Sequence, residues 1–351
     1  MKKNRQIFVG NIAVGGGAPV SVQSMCNTDT RDVKATLKQI SELADAGCQI
    51  IRVAVPDKPA LEAFGKIVLN SVIPVIADIH FDNQLAIAAI EAGAHGIRIN
   101  PGNIGSQSKV REIAQSAKKH NISIRVGVNS GSLEKDIRKE YAGVTPEGLV
   151  KSALRHCAFL EKIGFSDIKV SLKSSNVLDT FKAYSLFSEK SDYPLHLGIT
   201  EAGTIFNGTV KSAVGIGALL LNGIGDTIRV SLTADPILEV KTAIKILEAA
   251  GLRTPQFEII SCPTCGRTKI DIIKLADELE NRLATIDFGE KTLKIAVMGC
   301  AVNGPGEARE ADYGIAGGVD SGVLFLHGRV IENVPQDKLI DRLILEINKD
   351  L

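Results

Sequence analysis

Three cysteines and one glutamate in the last quarter of the chain have the residue types and spacing of a metal site. Cys262 and Cys265 form a Cys-x-x-Cys pair, Cys300 closes a later apolar run, and Glu307 follows it. The Asn-Gly-Pro-Gly sequence between Cys300 and Glu307 is a strong turn signal, which can fold the carboxylate back toward the sulfurs. Soft thiolate ligands exclude magnesium and calcium. The segment therefore predicts either structural zinc or an iron–sulfur cluster with one distinct iron.

The ligand types favour an iron–sulfur cluster over structural zinc. A closed zinc site normally uses four Cys or His ligands, and the nearest histidine, His327, lies in a separate stretch. An oxygen ligand is easily displaced, so an iron with an exchangeable position is the sharper hypothesis. A reduced surface pair or a redox dithiol is the alternative for Cys-x-x-Cys. Cys26, Cys48 and Cys157 have no such spacing, and we expect them to be small core residues.

The chain around the Cys-x-x-Cys pair predicts a strand-to-helix turn. An apolar run at 257–260 precedes Cys262, and a helical stretch is predicted to begin near Thr268. The N-terminus of a helix carries partial positive charge and free N–H groups, and both favour a thiolate over a thiol.

The composition of the chain argues against a nucleic-acid-binding protein. The 351 residues include 41 Lys and Arg against 40 Asp and Glu, which excludes a generally basic nucleic-acid-binding protein and makes any affinity for anions local. Aromatic residues are 4% of the chain, with no Trp, which argues against base-stacking surfaces. Six cysteines, without a secretory signal or a run of membrane-spanning length, predict a cytoplasmic protein in a reducing compartment.

Short β-rich runs alternate with amphipathic helical stretches over the first two-thirds of the chain, which is typical of an α/β protein with a parallel sheet. Eight runs predict a TIM (β/α)₈ barrel over residues 1–251, with its active face at the carboxyl ends of the strands. A doubly wound open sheet is the alternative, without a glycine fingerprint in its support. Residues 256–351 are predicted to form a small α+β domain. The eight runs are 20–24, 50–55, 72–79, 96–100, 123–128, 167–172, 195–199 and 227–232.

Polar residues recur at the carboxyl ends of the predicted strands. Ile-Arg-Val and Ile-Arg-Ile sequences place arginines inside apolar strands, where an unpaired guanidinium is costly to bury and needs an anionic partner. Side chains two apart in a strand share a face, which adds further polar residues to the same end of the barrel. The candidate site residues are Arg52, Asp78, His80, Arg98, Asn100, Arg125, Asn129, Lys173, Thr200, Glu201, Arg229 and Ser231.

The charge of this set predicts the kind of ligand. Four arginines and Lys173 outnumber Asp78 and Glu201, so the predicted barrel mouth is cationic although the chain is nearly neutral. A small polyanion, most simply a phosphate or diphosphate ester, fits such a mouth. The alternative is that Asp and Glu of the helical layer pair with the arginines and stabilise the barrel.

Seven segments of the chain resemble those of the bacterial hydroxymethylbutenyl diphosphate synthases of the non-mevalonate isoprenoid pathway, and the likeness extends over nearly the whole chain. The chain is similar to the short form of the family, without an insertion between barrel and cluster domain. The segments that carry the resemblance are 22–25, 27–30, 77–80, 98–103, 125–131, 261–267 and 298–307.

The resemblance implies an oxidoreductase that opens the ring of methylerythritol cyclodiphosphate by two-electron reduction and loss of water. It implies a [4Fe-4S] cluster held by Cys262, Cys265, Cys300 and Glu307, with Glu307 at the iron that a substrate oxygen can take over. The barrel residues would hold the diphosphate, with Asp78, His80, Thr200 and Glu201 close to the reacting carbons. Glu201 is the candidate proton donor, because dehydration needs an acid. The alternative for Glu201 is a salt bridge to Lys173 or an arginine.

The resemblance also implies partners. Ferredoxin or flavodoxin would donate electrons, and two chains would form a head-to-tail homodimer with a hinge near residues 252–255. Two other functions stay open at this point. One is a pteroate-synthase-like transferase with a zinc-stabilised small domain, and the other is a non-enzymatic carrier of iron–sulfur clusters.

Overall fold

A computed structural model describes residues 4–79, 82–100, 104–289, 291–300 and 310–351. The chain divides into two compact units, Met1–Arg253 and Thr254–Leu351. His80 and Glu307, two of the predicted site residues, lie outside the described residues.

The first unit confirms the predicted (β/α)₈ barrel. Its parallel strands are β3 Ser21–Met25, β4 Ile50–Ala54, β5 Val75–Asp78, β6 Gly96–Ile99, β7 Ser123–Asn129, β8 Ile168–Lys173, β9 His196–Leu197 and β10 Thr227–Ile228. They are hydrogen-bonded in the order β8-β7-β6-β5-β4-β3-β10-β9, and a bridge between Val170 and Leu195 brings the two ends of this order together.

Helices follow the barrel strands and cover their outer faces. Several begin at a side-chain cap, as where Asp57 accepts a hydrogen bond from the Ala60 N–H and Thr145 from the Gly148 N–H. Among the described residues, no helix combines the length and apolar character needed to cross a membrane. The helices of this unit are α1 Val33–Asp45, α2 Lys58–Asn70, α3 Asn83–Glu91, α4 Gln107–Lys119, α5 Lys135–Glu140, α6 Pro146–Lys162, α7 Val177–Lys190, α8 Ile205–Leu221 and α9 Pro236–Ala249, with a 3₁₀ turn at Ser130–Ser132.

The pleat of each barrel strand separates apolar from polar side chains. Val170 and Leu172 of β8 belong to the core between strands and helices, whereas Ser171 and Lys173 line a cavity inside the barrel. Because side chains alternate along a strand, Lys169 also points inward. The same alternation in the neighbouring strands gives the barrel a polar interior.

A hairpin of β1 Gln6–Val9 and β2 Ile12–Gly15 precedes the barrel and was not expected from the sequence. Ile7, Val9 and Val14 of this hairpin form one buried cluster with Ile50 and Ile76, at the amino-terminal ends of β4 and β5. The hairpin therefore closes the end of the barrel opposite the predicted site with an apolar layer.

The second unit is α+β. Its elements are β11 Phe257–Ser261, α10 Ile272–Leu283, β12 Leu293–Met298, β13 Tyr313–Gly317, β14 Ser321–Leu326, β15 Arg329–Pro335 and α11 Leu339–Asp350, with a 3₁₀ turn at Gln336–Lys338. The sheet has the order β11-β12-β13-β14-β15, parallel as far as β13 and antiparallel after it. Two helices pack over this sheet around Leu279, Leu283 and Leu343.

One local expectation for this unit was wrong. The helix expected near Thr268 begins at Ile272, because Asp271 caps it by accepting from the Lys274 N–H. The strands β14 and β15 form a hairpin. His327 and Gly328 both have positive φ angles, 45° and 73°, which turn the chain back on itself.

Candidate functional site

A cavity of about 210 Å³ lies at the carboxyl end of the barrel strands. It contains nine of the residues that the sequence analysis proposed, together with Ser171. Most of these side chains are buried, with Arg52, Arg98 and Arg125 exposed by 8%, 6% and 2%. The lining residues are Arg52, Asp78, Arg98, Arg125, Asn129, Ser171, Lys173, Thr200, Arg229 and Ser231.

Asp78 connects two of the arginines. Its carboxylate accepts a hydrogen bond from Arg98 Nη1 at 3.2 Å and lies 3.5 Å from Arg52 Nε. Arg52 also donates to Met25 Sδ, with Nη2 at 2.8 Å. Burial lowers the pKa of Arg52 to about 10, which Asp78 partly opposes and which leaves the guanidinium charged at neutral pH. One carboxylate thus orients two cations toward the cavity.

Arg229 is held from the helical layer. Its Nη2 donates to Glu239 Oε2 at 3.3 Å, and the other oxygen of Glu239, a buried residue of α9, accepts from the Leu232 N–H at 2.8 Å. The ion-pair alternative raised above therefore applies to this arginine. Arg125 differs, because its Nε and Nη1 have no hydrogen-bond partner within the described part of the chain. Burial and the charges of Arg52 and Arg98 lower its pKa.

Gly198 and Gly127 have no side chain, which leaves room for the side chains of Lys173 and Arg98. A Cβ on Gly198 would lie 2.6 Å from Lys173 Nζ and 2.7 Å from the carbonyl oxygen of Arg229. A Cβ on Gly127 would lie 3.1 Å from Arg98 Nε. Any side chain at Gly198 would thus displace the Lys173 amine. Burial and the four neighbouring arginines lower the pKa of Lys173 well below its usual range.

Glu201, the proposed proton donor, is not among the residues that line the cavity. Glu201 follows Thr200, a lining residue, and its side chain is exposed. Its φ angle of 53° is in the left-handed region, which a residue other than glycine adopts at a cost of about 1–3 kcal/mol. Asn100 is buried and donates to Ser132 Oγ at 2.5 Å, but it does not line the cavity. Asn129, in contrast, lines the cavity, and in the amide orientation that satisfies its neighbours its oxygen accepts from Arg98 Nη2 at 3.2 Å.

The three predicted cysteine ligands lie on loops at one edge of the second sheet. β11 and β12 are parallel with Ser261 opposite Val297, so Cys262 and Cys300 follow the carboxyl ends of adjacent strands. The Gly299 N–H donates to Cys262 Sγ at 3.2 Å. A Cβ on Gly299 would lie 2.9 Å from Thr268, so this glycine allows the two loops to pack closely.

Cys265 lies in a tight turn. The Thr268 N–H donates to its carbonyl oxygen, and its own N–H donates to the Thr268 hydroxyl at 3.2 Å. The pKa of the exposed Cys265 thiol is lowered, first by the N–H of Arg267 and then by further hydrogen bonds from the same turn. Burial instead raises the pKa of Cys26, Cys48 and Cys157 to about 12. The turn favours the thiolate, although the helix expected to do so begins later in the chain.

The donor set suits a thiophilic metal or cluster, because thiolates that accept backbone N–H bonds are typical ligands of iron–sulfur groups. Within the described residues, no three His, Cys, Asp or Glu side chains are placed together as a complete metal site. Glu307 follows Cys300 in a segment outside those residues. The fit therefore rests on residue type, on the shared sheet edge and on the lowered pKa of Cys265.

Several residues of the barrel site were missed by the sequence analysis. Met25 and Glu239 orient arginines, and Lys169 and His196 lie inside the barrel. The alternation rule reaches Lys169, which is two residues before Ser171. Glu239 gave no such signal, because it belongs to a helix and comes to the site only through tertiary packing.

Known proteins and family models match this chain over nearly its whole length. A family model described as the GcpE TIM-barrel domain matches residues 4–244, and one described as the GcpE protein C-terminal domain matches residues 258–349. The chain is 56% identical to the 4-hydroxy-3-methylbut-2-en-1-yl diphosphate synthase (flavodoxin) of Geobacter sulfurreducens, over 99% of this chain and 98% of that protein. It is 57% identical to the protein of the same name from Caldanaerobacter subterraneus, over 99% and 97%.

Solved structures share the barrel at low identity. Dihydropteroate synthase of Yersinia pestis is 12% identical with a TM-score of 0.52, over 70% of this chain and 97% of that one. Type I 3-dehydroquinate dehydratase of Clostridium difficile is 16% identical with the same TM-score, over 70% and 97%. At such identities, the likeness concerns the fold alone.

Proposed function

This chain belongs to the GcpE family, and we propose that buried cations of its barrel hold the diphosphate of the substrate while cysteines of its second unit hold an iron–sulfur cluster. The reaction is the formation of 4-hydroxy-3-methylbut-2-en-1-yl diphosphate by reductive ring opening and dehydration of 2-C-methyl-D-erythritol 2,4-cyclodiphosphate. The chain is an oxidoreductase of the isoprenoid pathway. Family membership decides against the transferase and the cluster carrier considered above.

The positive charge of the cavity is the main support for the substrate-binding proposal. Arg52, Arg98, Arg125, Lys173 and Arg229 line it, and Asp78 is the one acid among the described lining residues. Two guanidiniums share that carboxylate, so the cavity retains a positive charge that a diphosphate can neutralise. Asn129, Thr200 and Ser231 add polar groups beside these cations, and His80 and Asn100 remain proposed substrate-binding residues.

In this proposal the chain's own residues position the substrate and handle one proton. Arginines that are fixed by Asp78 and Glu239 need little reorganisation when the anion binds, so they hold the ring in one orientation. Glu201 follows the lining residue Thr200 and is exposed, and we propose that its carboxyl group donates the proton that dehydration requires. Barrel residues 1–251 would form the substrate domain.

Residues 256–351 would form the cluster domain, with Cys262, Cys265, Cys300 and Glu307 holding a [4Fe-4S] cluster. When bound, such a cluster supplies the two electrons of the reduction. The relatives are named for flavodoxin, and we propose flavodoxin as the electron donor here, with ferredoxin as the alternative. All six cysteines are free, which suits the cytoplasmic location that we propose.

A direct assay tests this function. We expect protein purified without air to convert the cyclic diphosphate to the open-chain diphosphate when reduced flavodoxin is supplied. Arg125→Met is the control for the cavity, because it removes a buried cation and is expected to lower kcat/KM by about a hundredfold or more. Full turnover by this variant would contradict the cavity as substrate site, and no turnover by the intact protein would contradict the reaction.

We also propose that the chain is a homodimer, and an uncovered apolar stripe on α8 supports this. Phe206, Val210, Val214 and Leu221 are 78%, 48%, 58% and 73% exposed. Their spacing places them on one face of the helix. Such contiguous exposed apolar residues mark interaction surfaces in soluble proteins.

Light scattering tests the dimer. The wild-type chain is expected at twice its mass of 37.4 kDa, and Phe206→Asp is expected to dissociate it by placing a charge in the stripe. Leu69→Asp is the matched control, because Leu69 is 85% exposed on α2 and lies outside the stripe. A fully active wild-type monomer, or dissociation only by Leu69→Asp, would contradict this assignment.

A further inference from the structure

Beneath the cavity, the barrel contains a second polar layer that the reaction as described does not use. We call it the inner layer. Lys169 and Thr227 each lie two residues before a residue that lines the cavity, Ser171 and Arg229, and His196 lies four residues before Thr200 on the same strand face. All members are at most 2% exposed. The inner layer consists of Ser21, Gln23, Ser123, Lys169, His196 and Thr227.

The polar atoms of the inner layer lack partners within the described part of the chain. They include Lys169 Nζ, both ring nitrogens of His196 and the hydroxyl group of Thr227. Buried polar groups are normally hydrogen-bonded, since an unmade bond is costly. Below the layer, Ile7, Val9 and Val14 of the hairpin close the barrel with apolar side chains. Water or protons therefore reach the inner layer through the substrate cavity above it.

Charge repulsion acts on the Lys169 amine. Lys169 is opposite Arg125 in the register of β7 and β8. Acids that could offset this repulsion are already engaged, since Asp78 contacts Arg52 and Arg98 and Glu239 contacts Arg229. The ionisable groups around Lys169 are Arg125 opposite it, His196 of the same layer, the cavity residues Arg52, Asp78, Arg98, Lys173 and Arg229, and Tyr184 of α7, whose hydroxyl group donates to the His196 carbonyl oxygen.

Titration of the two basic groups follows from this arrangement. Burial, and then the charge of Arg125, lower the pKa of Lys169 to about 7. Burial and the nearby basic groups Lys173, Arg125 and Lys169 lower the pKa of His196 well below its usual value, so the imidazole stays neutral. Near neutral pH, the Lys169 amine is therefore the group of the inner layer that can change its charge.

We propose that Lys169 takes up a proton when a diphosphate enters the cavity, so that the barrel gains one more positive charge only while the anion is bound. This rests on the proposed diphosphate site. The proton comes from solvent and binds the lone pair of Nζ, and no bond of the substrate changes in this step. The negative charge above the layer opposes the repulsion from Arg125 and favours the ammonium form.

The pH dependence has a definite sign. Below the pKa of the free protein, the amine is charged with and without the anion, and binding takes up no proton at Lys169. Above the pKa of the free protein, the bound anion keeps the pKa of the Lys169 amine higher than it is in the free protein. The affinity for the anion therefore falls by about tenfold per pH unit until the pH reaches the pKa of Lys169 in the complex. Lys173 lines the cavity itself, so its own proton uptake adds to that of Lys169 in the wild type.

Calorimetry separates the two lysines. Inorganic pyrophosphate is titrated into the wild type, Lys169→Met and Thr227→Val at about pH 8 in two buffers of different ionisation enthalpy, which gives the protons taken up. Lys169→Met is expected to take up about one proton less than the wild type, because only the share of Lys173 remains. Thr227→Val, a change in the same layer without a titrating group, is expected to match the wild type. Methionine replaces a buried amine by an apolar chain, so we expect this variant to fold with at least wild-type stability.

Equal proton uptake by Lys169→Met and the wild type would overturn the proposal. Absence of pyrophosphate binding by the wild type would contradict the diphosphate site itself. A second measurement decides the state of Lys169 without any ligand. In protein labelled with ¹³C at lysine Cε, the resonance that disappears in Lys169→Met is expected to titrate near pH 7. A midpoint at the ordinary lysine value would overturn the proposal in every case.

Discussion

Replacing Cys300 by serine is expected to abolish both the broad visible absorption of protein purified without air and its turnover of the cyclic diphosphate. Cys300 follows the carboxyl end of β12, on the edge where Cys262 follows β11. A serine hydroxyl is a harder and less easily ionised ligand than a thiol, so the proposed set would lose one of its soft ligands. Anaerobic absorption spectra before and after dithionite, with product analysis, measure both effects.

The matched control is Cys157→Ala. Cys157 is buried in α6, with a thiol pKa raised to about 12, and lies in the barrel core. We expect this variant to keep the absorption and the activity. Circular dichroism of both variants checks that the fold is retained. Full absorption and turnover in Cys300→Ser, or loss of both only in Cys157→Ala, would remove Cys300 from the ligand set.

Replacing Asp78 by asparagine is expected to lower the free energy of unfolding of the barrel on the order of 3 kcal/mol. The amide has no charge to offset Arg52 and Arg98, which the carboxylate now contacts at 3.5 and 3.2 Å in a buried site. Inorganic pyrophosphate should restore more stability to this variant than to the wild type, because it supplies the missing negative charge. Urea unfolding with and without pyrophosphate measures the difference.

Asp29→Asn is the control for this change. Asp29 also pairs with an arginine, Arg31, but both side chains are about half exposed. Exposed pairs contribute about 0–1 kcal/mol, so we expect this variant to unfold nearly as the wild type does. If Asp78→Asn is no less stable than Asp29→Asn, or if pyrophosphate stabilises it no more than the wild type, the account of the cavity charge is wrong.

The barrel and most of its cavity were predictable because two periodic rules act on every strand. Side chains two apart share a face, and parallel strands place their carboxyl ends at one end of the barrel. These rules selected Arg52, Arg125 and Lys173, which the cavity brings together. They apply equally to Lys169 and His196, which the sequence analysis did not select although they share a strand face with predicted or lining residues.

Other features depend on tertiary contacts that no local pattern encodes. Glu239 reaches Arg229 from α9, and Gly198 leaves room for Lys173 from a neighbouring strand. The hairpin β1–β2 consists of two short strands whose apolar residues become informative only once they cover Ile50 and Ile76. In the second unit, the side chain of Asp271 caps the helix that begins at Ile272, later than the start expected near Thr268. Residues 265–268 are therefore free to form the turn at Cys265.

Anomalous diffraction at the iron and zinc absorption edges, from crystals grown without air, tests the central claim most directly. We predict a strong iron signal in contact with the sulfurs of Cys262, Cys265 and Cys300 and no zinc signal there. A single zinc ion bound tetrahedrally by these cysteines, or cysteines far apart with no metal between them, would contradict the account.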